Sequence, residues 1–281
     1  MESKLKKLRV LSLGAGVQSS ALALMIQKGE IPMVDCAIFA DTGAEPKEVY
    51  DWLEWLRDEL WFPVYIAKWR NLKEDIIDAS QGRYKGFTAP FYTKNPDTGK
   101  KGLLRRQCTA DYKIKPVTQK IRALLGYQKG QRVTKDTKVE LVMGISYDEM
   151  QRMKTNQHFY IENQYPLVER AIRRNHCIEW MEKNNYPKPP RSACTFCPFH
   201  SNEEWRRIKE NKEEWNEVVK IDKMIREQEK FKKNKDGSDF FKDKLYLHRD
   251  CKPIDEVDLR EKDDQTGQYS LLDECEGMCG I

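Results

Sequence analysis

The first 70 residues alternate between short apolar segments and segments with helical spacing, and this alternation restricts the possible folds most. Residues 8–13 form a leucine-rich, β-branched run, which is followed by the glycine-containing loop 14–20 and a helix-like stretch that ends at Gly29. Residues 34–40 and 63–67 repeat the strand-like pattern on either side of a second helical segment. Strands that alternate with helices in this way predict a parallel sheet.

The pattern changes after the third strand. Residues 80–108 are rich in Gly, Pro, Lys and Arg and have little periodicity, which predicts a long loop. Residues 113–125 predict a helix, and residues 139–145 predict another buried strand. With 281 residues, of which 39% are hydrophobic, the chain is long enough for two unequal domains. We expect an α/β domain over residues 1–165 and a helical, charged region over residues 166–281.

Hydropathy argues against a membrane protein. No run approaches the ~18 to 20 apolar residues that a spanning helix needs. The first residues lead into a short apolar strand without a cleavage-like site. We therefore expect a cytoplasmic protein with no membrane partner.

Positive charge is concentrated in one segment of the chain. Residues 83–135 contain 14 basic and two acidic side chains, so this segment carries a net charge of +12. Because the whole chain carries +5, the remainder carries −7. A nucleic-acid partner, tRNA or DNA, is one interpretation, since phosphates bind lysine and arginine. A solvated, partly mobile basic loop is the other.

The loop between the first strand and the first helix is a candidate anion site. N–H groups at the amino end of a helix bind phosphate well, and Gly14 and Gly16 let the backbone approach a ligand closely. Ser19 and Ser20 add hydroxyl groups, and we expect them to cap the helix. The loop matches neither common nucleotide-binding fingerprint, so a plain tight turn is an equal alternative.

Four further motifs follow this loop in order. They are Asp41-Thr-Gly-Ala-Glu-Pro46, Cys108-Thr-Ala-Asp-Tyr-Lys-Ile-Lys-Pro116, Gly144-Ile-Ser-Tyr-Asp-Glu149 with Arg152, and Cys194-Thr-Phe-Cys197. As an ordered set, they resemble the phosphoadenylylsulfate (PAPS) reductase family of the pyrophosphatase-loop (PP-loop), adenine nucleotide α-hydrolase-like superfamily. The resemblance implies an α/β fold with a doubly wound, mostly parallel sheet of the HUP type. A helical C-terminal extension that contains cysteines would follow the nucleotide-binding domain.

The resemblance also implies an adenine nucleotide, ATP or PAPS, with Mg²⁺ beside its phosphates. Gln18 stands where ATP-splitting members usually carry an acidic residue, as reductase-like loops often do. The family's Arg-Lys pair becomes Tyr112-Lys113 here, and Lys113 is a catalytic candidate. The nucleotide-binding residues implied by the resemblance are Ser12, Gly14, Gly16, Gln18, Ser19, Asp41, Gly43, Gly144, Glu149 and Arg152.

The chain contains eight cysteines, and a cytosolic setting favours metal or redox chemistry over structural disulfides. Cys194 and Cys197 would place two thiolates near one metal. A zinc knuckle completed by Cys275 and Cys279, or by His200, is one structural possibility. Cys36 and Cys177 lie inside apolar or helical patterns, which predicts core positions for both.

For the same motif, the family resemblance implies a [4Fe-4S] cluster bound by Cys108, Cys194 and Cys197. The fourth iron would be open or held by Cys251, Cys275 or Cys279. The single Cys108 replaces the paired cysteines of iron–sulfur reductases, so one potential ligand is missing.

The carboxyl-terminal sequence Glu274-Cys-Glu-Gly-Met-Cys-Gly-Ile281 resembles the cysteine tail that carries the catalytic thiol of sulfonucleotide reductases. Here the cysteine is doubled and the terminal histidine is absent. Cys275 and Cys279 are therefore candidates for a mobile nucleophile, a persulfide carrier or a metal ligand. A disordered end without a role is the alternative.

Three functions follow from these features. The leading hypothesis is an iron–sulfur sulfurtransferase that activates a nucleic-acid base with ATP, releases AMP and pyrophosphate, and inserts sulfur from a donor. The second is a reductase of PAPS or adenylylsulfate that releases sulfite with a small dithiol reductant. The third is a zinc-stabilised nucleic-acid-binding module without turnover.

Overall fold

The computed structural model describes residues 6–83, 86–227 and 242–260, and its main element is a five-stranded sheet. All four strand pairs in this sheet are parallel, and the strand order is β3-β2-β1-β6-β7. The predicted α/β fold is confirmed. The elements are β1 (Lys6–Leu13), α1 (Val17–Gln27), β2 (Cys36–Ala40), α2 (Lys47–Glu59), β3 (Val64–Ala67), α3 (Leu72–Ser80), β4 (Tyr92–Lys94), β5 (Lys101–Leu103), a π-helical turn (Ala110–Ile114), α4 (Lys115–Leu124), β6 (Thr137–Met143), a 3₁₀ segment (Tyr147–Arg152), β7 (Ile161–Gln164), α5 (Pro166–Glu169), α6 (Arg174–Lys183), α7 (Asn202–Glu210), α8 (Lys212–Arg226), β8 (Lys244–Tyr246) and a second 3₁₀ turn (Ile254–Glu256).

Helices cover both faces of the sheet, as a doubly wound fold requires. Successive side chains of a strand point to opposite faces, so Leu11 of β1 packs in the core formed with α1, α2 and α6. Its neighbour Val10 packs in the second core, which includes Val117 and Ile121 of α4. Residues 10–13 are all buried, which explains the continuous apolar run that the sequence shows there.

The strand order places a crevice at the carboxyl ends of the central strands. From β1 the chain crosses over to β2 on one side of the sheet, whereas β6 joins β1 on the other side. The order therefore reverses between β1 and β6. In open α/β sheets, ligands bind outside the carboxyl ends of the strands at such a reversal.

A third core lies between the C-terminal helices and a small antiparallel sheet. Its members include Trp205 of α7, Ile221 of α8 and Leu245 of β8. The small sheet has the order β5-β4-β8. The prediction of a long loop over residues 80–108 is wrong in part, because β4 and β5 form a hairpin inside it. These strands have three residues each, too few to show a period.

Two buried cysteines confirm the core positions predicted for them. Cys36 is 2% exposed in β2, and Cys177 is 0% exposed in α6. Cys177 packs in the core of α1, so residues after 165 contribute to the first core. The division of the chain at residue 165 stays a prediction. None of the helices within the described part of the chain is long and apolar enough to cross a membrane.

Candidate functional site

The loop between β1 and α1 lies at the reversal point of the sheet. Helix α1 begins after Gly16, and no side chain caps its amino end. The prediction that Ser19 and Ser20 cap this helix is wrong, because both lie inside its first turn. Ser19 Oγ donates to the carbonyl oxygen of Gly16, and Ser20 Oγ accepts from Trp52. The uncapped N–H groups leave the helix end suited to an anionic ligand.

Ala15 has a left-handed backbone conformation in this loop. Its φ is +58°, and its side chain is 0% exposed. Residues other than glycine rarely adopt this conformation, which costs of order 1 kcal/mol. Such strain persists where the surrounding structure imposes it, commonly at ligand sites. The loop is therefore a shaped turn rather than an unconstrained connection.

Gln18 connects this loop to two other segments of the chain. Its Nε2 donates to Glu149 Oε2 at 3.2 Å and to Ser146 Oγ at 3.4 Å. Its Oε1 accepts a hydrogen bond from Arg174 Nη1 at 2.9 Å. Arg152 Nη1 in turn contacts Glu149 Oε1 at 2.6 Å. The structure therefore brings Gln18, Glu149 and Arg152 together, as the sequence motifs predict.

Gly144 and Ser12 lie beside the same loop. A β-carbon on Gly144 would meet the backbone of Ser19, so only glycine fits between β6 and α1 without a shift. Ser12 is 6% exposed in β1, where it pairs with Met143 of β6 and Ile38 of β2. Both residues therefore lie close to the reversal point.

Asp41 and Gly43 follow the adjacent strand β2. Asp41 accepts hydrogen bonds from Gly43 N–H and Tyr50 OH, and it pairs with Lys68 at 3.0 Å. Burial raises the pKa of Asp41, but these hydrogen bonds and the Lys68 charge hold it below its ordinary value of 3.8. Gly43 has a φ of +70° and lies against Asn71. Asp41 is therefore a fixed carboxylate at the edge of the crevice.

The Cys194–Cys197 turn packs against the loop that follows β2. Both the N–H and the hydroxyl of Thr195 donate to the carbonyl oxygen of Ala44, at 2.8 and 3.2 Å. Cys194 Sγ lies 3.5 Å from Thr42 Oγ1. Burial raises the pKa of the Cys194 thiol well above its ordinary value. The turn therefore places a partly buried thiol next to the segment that carries Asp41.

Lys113 contributes a buried positive charge near this thiol. It lies in the π-helical turn, where its Nζ is 3.6 Å from Glu45 Oε1, and both side chains are almost fully buried. The preceding Tyr112 donates to the buried Asp75. Single π-helical turns are frequent at functional sites because they redirect side chains. Lys113 is thus held beside the Cys194 turn.

Cys108 lies just before the π-helical turn. Cys108 and Cys194 pack against the same apolar core, and the neighbouring Arg106 lies over the ring of Phe199 at 5.5 Å. The segments that carry the three predicted metal ligands therefore approach each other. In the described ranges, however, no group of three or more His, Cys, Asp or Glu residues is arranged to hold a metal ion.

The zinc and [4Fe-4S] alternatives both stay predictions. His200 Nε2 lies 2.9 Å from the backbone oxygen of Cys194, and burial lowers the pKa of His200 to about 4, so its ring is neutral at pH 7. Cys251 is buried beside the small sheet, with Sγ 3.7 Å from the carbonyl oxygen of Thr93. Cys275 and Cys279 lie outside the described residues.

The predicted basic segment is partly ordered by the β4–β5 hairpin. Lys100 and Arg105 are exposed. Lys101 Nζ donates to the carbonyl oxygen of Asp250 at 3.1 Å, so it also joins the hairpin to the chain beyond β8. The Arg106–Phe199 contact brings the chain after the hairpin, with the exposed Arg105, close to the Cys194–Cys197 turn.

Two residues at the site were not among those that sequence analysis predicted for it. Arg174 begins α6 and reaches Gln18, 156 positions away, from a segment that looks like an ordinary charged helix. Glu45 belongs to the Asp41–Pro46 motif, but its burial beside Lys113 depends on a contact between distant segments. Both contacts arise only when the chain folds.

Comparisons with known proteins give similarities among solved structures. No protein-family model matches this chain, and no curated protein matches it either. Among solved structures, the chain is similar to the crystal structure of phosphoadenylyl-sulfate (PAPS) reductase from Candida auris in complex with phosphate. The two sequences are 14% identical, the match covers 66% of this chain and 76% of that one, and the TM-score is 0.40. The evidence for the fold is the strand order and the parallel pairing of the sheet.

Proposed function

We propose that this chain is an enzyme that binds an adenine nucleotide at residues 14–19 and uses it in sulfur transfer. One observation carries the proposal: a strained loop and an uncapped helix end open at the reversal point of a parallel sheet. Backbone N–H groups at this position bind phosphate through hydrogen bonds and the helix dipole. Sulfur transfer is supported by the Cys194–Cys197 turn, which contacts the loop after the neighbouring strand.

In this proposal, the residues around the loop contact different parts of the nucleotide. The N–H groups of α1 would hold a phosphate, and Gln18 would keep the loop aligned through Glu149 and Arg174. The positive charges of Arg152 and Arg174 would offset phosphate charge at the mouth of the crevice. Asp41 would contact the nucleoside portion from the adjacent strand.

The proposed reaction has two stages. A carbonyl oxygen of a nucleic-acid base attacks the α-phosphorus of ATP, which forms an adenylated base and releases pyrophosphate. The terminal sulfur of a protein persulfide, loaded by a sulfur donor, then displaces AMP and leaves a disulfide between base and protein. A second thiol cleaves that disulfide, which releases the thiolated base. A small dithiol then reduces the resulting protein disulfide. Mg²⁺ would offset the phosphate charge in the first stage.

A second candidate function is reduction of PAPS or adenylylsulfate. Gln18 favours it, because its buried amide replaces the carboxylate that ATP-splitting relatives usually carry in this loop. In this reaction a tail thiolate, Cys279 or Cys275, attacks the sulfate sulfur and displaces the nucleotide phosphate. A dithiol protein then attacks the enzyme-bound thiosulfonate and releases sulfite.

The products distinguish the two candidates. The purified chain is incubated with ATP and Mg²⁺, with and without tRNA or single-stranded DNA, and separately with PAPS and a dithiol reductant. We expect AMP and pyrophosphate only when the nucleic acid is present. If the chain releases sulfite from PAPS, loses this activity in Cys279→Ser and cleaves no ATP, the reductase is the function and sulfur transfer to a base is refuted. If neither reaction occurs and the chain binds no nucleotide, both candidate functions are refuted.

A further inference from the structure

The 3₁₀ segment Tyr147–Arg152 presents three different faces. Because a 3₁₀ helix has three residues per turn, residues three apart within one turn lie on the same side. On the inner side, Ser146 and Glu149 accept hydrogen bonds from Gln18, and Arg152 pairs with Glu149. Glu149 departs from helical dihedral angles, so the segment consists of two short turns joined at that residue.

Three apolar side chains in this segment and directly after it are exposed to solvent. Tyr147, Met150 and Met153 follow each other at the same three-residue spacing, and they are 38%, 50% and 39% exposed. Asp148 lies on the remaining side, where its Oδ1 accepts from Arg174 N–H at the start of α6. The hydrogen bonds of the inner side therefore hold the exposed Tyr–Met–Met face, defined as Tyr147, Met150 and Met153, beside the candidate nucleotide site.

Positive charges border the Tyr–Met–Met face. Lys154 directly follows Met153 and is exposed. Tyr147 N–H donates to the carbonyl oxygen of Ile172 at 2.8 Å, which brings the short segment between the exposed Arg170 and Arg173 next to the tyrosine backbone. Of the two acidic groups in the segment, Asp148 accepts from the first N–H of α6 and Glu149 pairs with Arg152. Three exposed cations therefore border the apolar face, against the two exposed carboxylates of Asp148 and Glu169, so cations are in excess there.

We propose that the Tyr–Met–Met face binds the bases of a single-stranded nucleic acid, whose phosphates contact Lys154, Arg170 and Arg173. Aromatic and apolar side chains bordered by cations are the combination that single strands bind, since every base has a stacking face and every linkage a negative charge. The proposal deepens the proposed function and rests on it, because this face would place the acceptor base beside the bound nucleotide. The surrounding positive charge favours a polyanion over a neutral protein surface.

The test measures oligonucleotide binding separately from nucleotide binding. A fluorescein-labelled single-stranded RNA of mixed sequence is titrated with wild type, Tyr147→Ala/Met150→Ala and Tyr147→Phe, and the affinity is followed by anisotropy. The matched control is Phe159→Ala, which removes a side chain that is 70% exposed at the amino end of β7. ATP affinity of each variant is measured by calorimetry without nucleic acid.

We expect the double variant to bind RNA at least about tenfold more weakly, with ATP affinity unchanged, because stacking is lost and the nucleotide loop is not touched. Tyr147→Phe and Phe159→Ala should bind like wild type. Arg173→Gln should reduce the slope of log affinity against log salt by about 0.7, the value for one phosphate contact to a single strand. RNA affinity within twofold of wild type in the double variant, or no RNA binding by wild type, would overturn the proposal. If wild type does not bind ATP, the proposed function itself is refuted.

Discussion

Gly144 lies so close to Ser19 that a β-carbon added to it would be 2.8 Å from the Cα of Ser19 and 2.9 Å from its backbone nitrogen. The contact joins the end of β6 to the first turn of α1, on the two sides of the point where the strand order reverses. Both atoms belong to backbone, so the clash cannot be relieved by rotating a side chain. The position of the helix end therefore depends on a glycine at residue 144.

Gly144→Ala should therefore weaken nucleotide binding by moving the first turn of α1. We expect ATP affinity to fall by about tenfold or more, since a misplacement of even 1 Å at a binding site is costly. Calorimetric titration with ATP measures the effect, and thermal unfolding checks that the fold remains. Gly86→Ala is the matched control, because a β-carbon at Gly86 meets no atom within 4 Å. Equal affinities of the two variants would contradict the assigned role of the loop.

Asp41 should make stability depend on pH in the acid range. Its pKa in the folded protein is below the ordinary value of 3.8, so the folded state releases this proton more readily than the unfolded chain does. The stability that Asp41 contributes is then present above pH 3.8 and is lost as the pH falls through its folded pKa. Urea unfolding from pH 6 to pH 2.5 should show wild type converging on Asp41→Asn at the acid end. A constant difference between the two proteins across this range would contradict the prediction.

Asp222 should be a main support of the C-terminal core. Its carboxylate is 0% exposed and accepts from Leu247 N–H, Ile254 N–H and Arg226 Nε, at 3.1, 3.1 and 3.0 Å. Asp222→Ala leaves these donors without an acceptor, which should cost about 3 to 5 kcal/mol in the free energy of unfolding. Chemical denaturation measures this value. Asp255→Ala, at an exposed aspartate nearby, should change stability little.

Cysteine variants should separate the two stages of the proposed reaction. Cys108→Ser, Cys194→Ser and Cys197→Ser should each lose sulfur incorporation but keep most of the AMP and pyrophosphate formation, because activation takes place at the phosphate loop. Thiolated nucleosides and AMP are quantified from the same samples, and iron and acid-labile sulfide are measured after anaerobic purification. Cys36→Ala, at a core cysteine, serves as the control. Full sulfur incorporation in all three serine variants would exclude these cysteines from the transfer.

The alternation in the first 70 residues was sufficient to predict the parallel sheet, because each period reflects burial within one strand or helix. The β4–β5 hairpin could not be predicted in the same way. Its strand β4 pairs with β8, where Thr93 lies opposite Leu245, and a three-residue strand shows no period of its own. Pairing between such distant segments leaves no trace in local sequence.

In the candidate site, too, residues of local motifs could be predicted, whereas contacts between distant segments could not. Gln18, Glu149 and Arg152 belong to ordered motifs, and their hydrogen bonds agree with that grouping. Arg174 belongs to no motif, although it donates to the same glutamine. The Ser19 hydroxyl shows the limit of a local rule, because the helix begins three residues earlier than a cap at Ser19 would require. Backbone geometry at Ala15 and Gly16 decides that start.

The basic hairpin provides the last prediction, which concerns the polyanion partner. Lys100 and Arg105 are exposed, whereas Lys101 holds backbone carbonyl oxygens and Arg106 lies over Phe199. Removing the charges of Lys100 and Arg105 should therefore weaken the binding of a polyanion and leave the fold intact. If each contacts one phosphate, Lys100→Gln/Arg105→Gln should reduce the slope of log affinity for single-stranded RNA against log salt by about 1.4.

The control for this experiment must remove the same charge from another surface. Lys183→Gln/Lys188→Gln does so, because both lysines are exposed at the end of α6 and in the segment after it. A general effect of net charge would lower RNA affinity equally in both double variants, whereas contact with the hairpin lowers it only in Lys100→Gln/Arg105→Gln. Anisotropy titrations at four salt concentrations give the slopes. Equal slopes for wild type and the hairpin variant would show that the positive charge of this segment is only solvated.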